Sequence, residues 1–292
     1  ESMKSTFSEK NGYKLIFDDA QQKQENQITA IRNFIQQEVD YILLAPVTET
    51  GWDTVLQEAK DADIPVIIVD RMVDVSDDSL YTTWIGTDAL CEGRKAAEWL
   101  NGFAEAKGIA ASDIHIADIQ GTIGSTAQIG RTKGLEEGVD KYGWDLVAQQ
   151  TGEFTQAKGQ EVMESMLKQY DNINVVYCEN DNEAFGAMDA MKAAGISYGV
   201  DGDVILVSFD ACTAGLEYVM SGDINADFEC NPLAAPFVEE VIKQLQAGET
   251  PEKEVYMTEH WFVNEDVLST INVNGEDQDL TVVTKEIVDA QY

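Results

Sequence analysis

Positive charge is scarce in this sequence: against 54 Asp and Glu stand 19 Lys and Arg, a formal net charge of -35 over 292 residues. Such a surface repels phosphate backbones and anionic membranes alike, so nucleic acid is excluded as a partner and anionic substrates are disfavoured. A neutral ligand such as a sugar meets no such barrier, and the acid excess otherwise serves solubility. Histidine is nearly absent. With His115 and His260 alone, neither a His-based metal centre nor a catalytic triad is expected. Cys91, Cys178, Cys212 and Cys230 are widely spaced, without a CxxC pair or a nearby His cluster, so neither zinc nor a redox dithiol is indicated. Four buried thiols are expected rather than disulfides. No apolar run approaches the roughly 20 residues that span a bilayer. The opening Glu1-Ser-Met-Lys lacks the basic and apolar segments of a signal peptide, so the chain is expected to be soluble with any targeting segment already removed.

With 44% hydrophobic residues, a chain of this length suits two α/β lobes better than one core. Strand-like and helix-like patterns alternate almost without interruption, as in βαβ units with a parallel sheet. Strands are expected at Tyr13 to Phe17, Val39 to Val47, Ile64 to Asp70, His115 to Gln120, Asn174 to Cys178, Val204 to Phe209 and Ile224 to Glu229. The helices between them carry apolar residues at helical spacing, as with Ile28, Ile31, Phe34 and Ile35. The series starts twice, and the small, polar connector Lys107 to Asp113 reads as the lobe boundary. The tail from Glu254 onward is too short for a third domain and is expected to pack back onto both lobes. Glu1 to Lys10 reads as a helix, where a doubly wound lobe normally opens with a strand. Either residues lie upstream of this sequence, or the first lobe lacks a strand that belongs mid-sheet; the former is favoured, because an empty central slot would bury unpaired backbone groups.

The most informative segment is Ile64-Pro-Val-Ile-Ile-Val-Asp70-Arg71, an apolar run that ends abruptly on two charges. Strands apolar along their whole length belong to sheets covered on both faces, and ligands gather outside the carboxyl ends of such strands. Other strand ends repeat the pattern: Asp88 after Trp84-Ile-Gly-Thr, Gln120-Gly-Thr-Ile-Gly-Ser-Thr126, Glu179-Asn180-Asp181, Ser208-Phe209-Asp210 and Phe228-Glu229. Each alone reads as a helix cap or turn residue. In a parallel sheet they all project from one edge, and their types suit a polyhydroxylated ligand: carboxylates accept from hydroxyls, Arg offers a planar fork, and Asn both donates and accepts. Phe154, between a strand and a helix, is the chosen flat face for a sugar ring, ahead of Trp52, Trp84 and Phe209. Arg131, one and a half turns into its helix, can reach the rim, with a surface Arg as the alternative.

Three other motifs are weak. Gly121-Thr-Ile-Gly-Ser-Thr126 lacks the Lys-Ser/Thr ending of a phosphate loop. Paired carboxylates could serve a glycosidase, but Asp70 beside Arg71 is expected to stay ionised. The acidic spacing of Asn272 to Asp279 misses the EF-hand pattern and reads as a solvated loop.

With these residues assembled, the chain resembles the bacterial periplasmic sugar-binding proteins of the ribose-binding type, and within them the galactofuranose-binding branch. The segments that carry the resemblance include Asp19-Ala-Gln-Gln-Lys-Gln-Glu-Asn-Gln27, Ala45-Pro-Val-Thr-Glu-Thr-Gly-Trp52, Asp70-Arg71, Gln120-Gly-Thr-Ile-Gly124, Gly159-Gln-Glu-Val-Met-Glu-Ser165 and Asn180-Asp181. The resemblance implies an α/β fold of two doubly wound parallel-sheet lobes joined by a three-crossing hinge, the type I periplasmic-binding-protein fold. It implies an N-terminal lobe of residues 1–110 plus 232–259 and a C-terminal lobe of 111–231 plus 260–292. It further implies that Asp70, Arg71, Arg131, Phe154, Asn180 and Asp210 contact the sugar, with Glu229 where ribose-binding members use Gln and Asp88 as a further cleft residue. In the family the lobes close on a monosaccharide and present it to an ABC transporter permease, outside the cytoplasm. The expected role here is a monomeric, non-enzymatic carrier of a small neutral sugar, a furanose-form hexose or pentose, with no cofactor and with a lipid anchor upstream as a plausible attachment. A sugar-sensing ligand domain of a receptor or transcriptional regulator is the alternative, and a carbohydrate-active enzyme using Asp70 and Asp210 is a third.

Overall fold

The computed structural model describes residues 2–265 and 267–292. In chain order its elements are α1 (Ser2–Thr6), α2 (Gln24–Gln36), β1 (Ile42–Leu44), α3 (Asp53–Asp61), β2 (Val66–Val69), β3 (Thr83–Gly86), α4 (Ala89–Lys107), β4 (His115–Gln120), α5 (Thr126–Tyr142), β5 (Asp145–Thr151), α6 (Gln156–Gln169), β6 (Val175–Cys178), α7 (Asp181–Ala194), β7 (Ile205–Asp210), α8 (Thr213–Ser221), β8 (Ala226–Glu229), α9 (Ala235–Gln246), β9 (Glu254–Tyr256), β10 (Trp261–Val263), β11 (Thr270–Val273), β12 (Glu276–Asp279), β13 (Thr281–Val282) and α10 (Lys285–Ala290). They form two compact units: residues up to Thr87 with 124–126 and 231–258, and residues 88–123, 127–230 and 259–292.

The first unit holds a parallel sheet in the order β1-β2-β3-β9. Every residue of β2 is buried, and alternate side chains serve opposite faces. Val66 and Ile68 pack with Ile31 of α2 and Val55, Leu56 and Ala59 of α3. Ile67 and Val69 pack with Val238, Val241 and Ile242 of α9. Covering on both faces is what the unbroken apolar run required.

Tyr13 to Phe17, expected as a strand, is not one: the segment has no neighbour to complete a ladder, and strand structure is a property of paired backbones. Between it and β1 lies a cleft of about 890 Å³ lined by Leu15, Phe17, Ile31, Ile42, Leu44 and Val69.

The second unit is built on a sheet in the order β13-β10-β8-β7-β6-β4-β5, parallel except where β10 runs against β8. One face is covered by α6, α7 and α8 through Met163, Met166, Ala187, Met191 and Leu216. The other is covered by α4 and α5 through Trp99, Leu100, Phe103 and Leu135. The expected boundary at Lys107 to Asp113 is therefore displaced. Helix α4 belongs to the second unit, since its apolar stripe packs on Ile114, Ile116 and Phe228, and the unit begins at Asp88. The polar connector marks a loop inside the unit. Strand β5 is absent from the expected set because, at the sheet edge, it has one buried residue among seven and no apolar run. The four cysteines are free thiols, and only Cys178 is buried; the other three are half-buried, contrary to expectation.

Asp118 of β4 is fully buried, with Gln149 Nε2 donating to one oxygen at 3.2 Å and no partner on the other. Burial pushes its carboxyl up to about 8. The folded protein thus keeps a proton that the unfolded chain releases near pH 4, so stability falls as pH rises from about 4 to about 8. Asp118→Asn is expected to flatten that slope and to add on the order of 2–4 kcal/mol at pH 8 relative to the parent. Urea unfolding at pH 5 and pH 8 measures both quantities, and an unchanged slope would reject the assignment.

Candidate functional site

The carboxyl ends of β4, β6, β7 and β8 deliver Gln120, Glu179-Asn180, Asp210 and Glu229 to one rim of the second unit. The centre of that rim is Arg131 on α5, which is 1% exposed rather than a surface residue. Its Nε donates to Glu92 Oε2 at 2.7 Å, and its Nη1 donates to the Glu179 carbonyl and to Asp210 Oδ1, the latter at 3.2 Å. The guanidinium carbon lies 4.8 Å from the Phe209 ring centroid. Nη2 is buried without a hydrogen-bond partner among the described residues. Burial opposes the charge on Arg131, but Glu92 and Asp210 more than offset it and hold the guanidinium protonated.

Two carboxylates, those of Glu92 and Asp210, pair with this charge. Glu92 is fully buried, and Glu259 beside it is pushed up to about 11 by burial and by Glu92. Glu259 is therefore neutral at neutral pH. Glu92, Cys230 and Glu259 each place one donor atom within 4.8 Å of the others. Arg131 engages Glu92 Oε2 of this group, while Glu92 Oε1 and Glu259 Oε1 are buried without a hydrogen-bond partner among the described residues.

Phe154 follows Gly152 through two left-handed residues, Glu153 and Phe154 with φ of 56° and 58°. Its amide donates to Glu183 Oε1 at 2.9 Å, and its ring lies so close over Gly121 that a Cβ there would meet the ring carbons. Asn180 is the N-cap of α7, accepting from the Glu183 amide, while its Nδ2 reaches the Phe154 carbonyl at 3.5 Å. Glu229 has both oxygens engaged by the protein. Oε2 accepts from the His260 amide at 2.7 Å, and Oε1 accepts from Tyr292 Oη at 3.2 Å and Gln291 Nε2 at 3.4 Å. Arg131, Asp210, Asn180, Phe154 and Glu229 thus form one connected rim. Asp88 is joined to it by none of these bonds. It is exposed and caps α4 by accepting from the Cys91 amide at 2.9 Å.

In the first unit, Asp70 ends β2 with φ of 65°, its carbonyl accepting from Trp84 Nε1 at 2.9 Å. Arg71 Nη1 donates to the Val47 carbonyl at 2.9 Å, and its Nε stands 3.9 Å from Asp70 Oδ2. The Asp70 side chain is 57% exposed and that of Arg71 16%, so the carboxylate faces outward while the guanidinium is anchored.

Several residues of the rim escape sequence reasoning. Glu92 sits in a helix where an acid reads as solvated, and no spacing signals its burial. Glu183 carries a signal: Asn180 and Glu183 have capping-box spacing, yet Glu183 turns to Phe154 instead of back to Asn180. Tyr292 and His260 lie in the irregular tail.

Comparison with known proteins adds four findings. Residues 1–233 match the periplasmic binding protein domain. The galactofuranose-binding protein YtfQ of Escherichia coli is 40% identical over 251 residues, which cover 84% of this chain and 77% of that protein. A Mycobacterium smegmatis structure in complex with β-D-fucofuranose is 42% identical with a TM-score of 0.85, covering 91% of this chain and 86% of that one. The binding protein of the arabinose ABC transporter from Shewanella sp. ANA-3, bound to α- and β-L-arabinofuranose, is 41% identical with a TM-score of 0.84 and the same coverage.

The contact between Gly121 and Phe154 generates a prediction. Gly121→Ala is expected to destabilise the second unit by about 1–3 kcal/mol through overpacking against the ring. In a Phe154→Ala background the same substitution should cost almost nothing, because its clash partner is gone. Thermal unfolding of the four proteins measures the coupling, and additive effects would show that the ring does not rest on Gly121.

Proposed function

Since this chain belongs to the periplasmic binding protein family, whose members are extracytoplasmic solute-binding proteins, we propose that it captures a furanose-form pentose or hexose and delivers it to the permease of an ABC transporter. The observation that carries the reading is the unpartnered, buried Nη2 of Arg131 beside the Asp210 carboxylate. An unsatisfied buried donor costs free energy until an acceptor arrives, and a sugar hydroxyl or ring oxygen supplies one while its own hydroxyl donates to Asp210. Phe154 offers its ring to the C–H face of the sugar, and Asn180 contributes an amide. Asp70 and Arg71 are assigned to the same ligand, Asp70 as acceptor and Arg71 as donor.

The relatives support the ring form, since two solved structures about as similar to this chain as YtfQ hold furanoses. A neutral ligand also fits a chain of net charge -35. Binding and release require no bond to be broken, so the proposed role is that of a carrier outside the cytoplasm.

A thermal-shift series with L-arabinose, D-fucose, D-galactose, D-fructose and D-ribose tests this. A ligand that binds only the folded state adds about 2.7 kcal/mol at about 100 times its Kd. No shift with any pentose or hexose would remove the reading. Asp210→Ala and Arg71→Ala are each expected to weaken binding of the best sugar by about 2–5 kcal/mol in calorimetry, because each leaves polar partners unsatisfied. Affinity equal to the parent would take that residue out of the site.

A further inference from the structure

The turn that presents Asp210 is conformationally costly. Asp210 and Ala211 have φ of 95° and 52°, a region that L residues adopt rarely and keep only where the surroundings enforce it. Two buried carboxylates supply the enforcement. Asp227 on β8, 0% exposed, accepts from the Ala211 amide through Oδ1 at 3.1 Å. Asp181 at the start of α7, 2% exposed, accepts from the Cys212 amide through Oδ2 at 2.8 Å and from Ser208 Oγ through Oδ1 at 2.7 Å. These bonds bracket the turn on both sides. The carbonyls complete the clasp: Tyr292 Oη donates to that of Asp210 at 3.2 Å, and Gln291 Nε2 to that of Ala211 at 2.7 Å.

Burying two acids side by side is expensive, and a core alone would be served better by apolar side chains of the same volume. Three of their four oxygens go instead to the backbone of one turn and to the serine just before it, Asp227 Oδ2 having no hydrogen-bond partner among the described residues. We propose that Asp181 and Asp227 are positioning residues for sugar recognition: they hold Asp210 and Ala211 in the left-handed conformation that aims the Asp210 carboxylate at Arg131 and at the ligand. This rests on the sugar-binding reading, since Asp210 is the residue presented. Burial raises both carboxyls, and the neighbouring Asp181 charge raises Asp227 further, so their closeness favours proton uptake by the pair.

The test uses the full chain with Asp227→Ala, Asp227→Asn, Ala211→Gly and the double variant Asp227→Ala/Ala211→Gly, with L-arabinose as probe. Asp227→Ala is expected to lose about tenfold or more in affinity, while Asp227→Asn, which keeps the acceptor for the Ala211 amide, retains most of it. Glycine adopts positive φ without penalty, so Ala211→Gly alone should change affinity little and should restore a large part of the loss in the double variant. A folded Asp227→Ala with parental affinity, or a double variant no better than Asp227→Ala, would overturn the proposal. If Asp227→Ala does not fold, the double variant should fold where the single does not, and failure of both would equally overturn it. Hydrogen exchange at the Ala211 amide gives a readout independent of sugar. Exchange should accelerate about tenfold or more in Asp227→Ala and stay near parental in Asp227→Asn. Should the parent bind no sugar, the carrier reading fails while the exchange result still decides whether Asp227 holds the turn.

Discussion

A buried guanidinium has to be neutralised and surrounded by acceptors, and the rim of the second unit is organised around that requirement at Arg131. Glu92 supplies the charge, the Glu179 carbonyl and Asp210 supply acceptors, and Phe209 lies across the guanidinium plane. Each partner comes from a different element, so satisfying Arg131 fixes α4, α5 and the ends of β6 and β7 in one arrangement. Burial and the neighbouring Glu92 hold Glu259 neutral beside this set, so it adds no charge to it.

Much of this arrangement is legible in the amino-acid order. Unbroken apolar runs at Ile64 to Val69, Asn174 to Cys178 and Val204 to Phe209 announce buried parallel strands, and the polar residues that end them announce the rim. Asp210 and Asn180 stand at such strand ends, whereas Arg131 is reached from its helix position, with a surface Arg as the alternative, and through the family resemblance. The illegible parts share a physical cause, namely dependence on a neighbour distant in sequence. Glu92 looks like any exposed helix acid because helical period records which face a residue is on, not what covers the face. Strand β5 lies at an edge and lacks an apolar signature. Tyr13 to Phe17 has the pattern of a strand but no partner, and pattern cannot create a ladder. Helix α4 reads as part of the wrong unit because a polar connector looks the same at a domain boundary and within a domain.

The expected site residues separate by what their polar atoms already do. Asp88 caps α4, and Glu229 spends both oxygens on His260, Tyr292 and Gln291. Each has its requirement met by the protein, so the cap reading that competes at every strand end describes Asp88 well. Arg131 differs, since one of its nitrogens is buried with nothing to receive it.

The acidity of this chain acts in two opposite ways. On the surface it is a solvated charge that keeps copies apart and turns anions away. Inside the second unit, Asp118, Glu179, Asp181, Glu183 and Asp227 are buried, and burial raises the proton affinity of each carboxyl. Three of them serve the rim directly: Glu183 the Phe154 amide, Glu179 the Gly121 amide, and Asp227 the Ala211 amide. A carboxyl group accepts from a backbone amide and has a second oxygen that can hold a proton, so it can fix a loop without fixing a charge. A recognition surface for an uncharged ligand can therefore be supported by acids, provided that their protons stay with the fold.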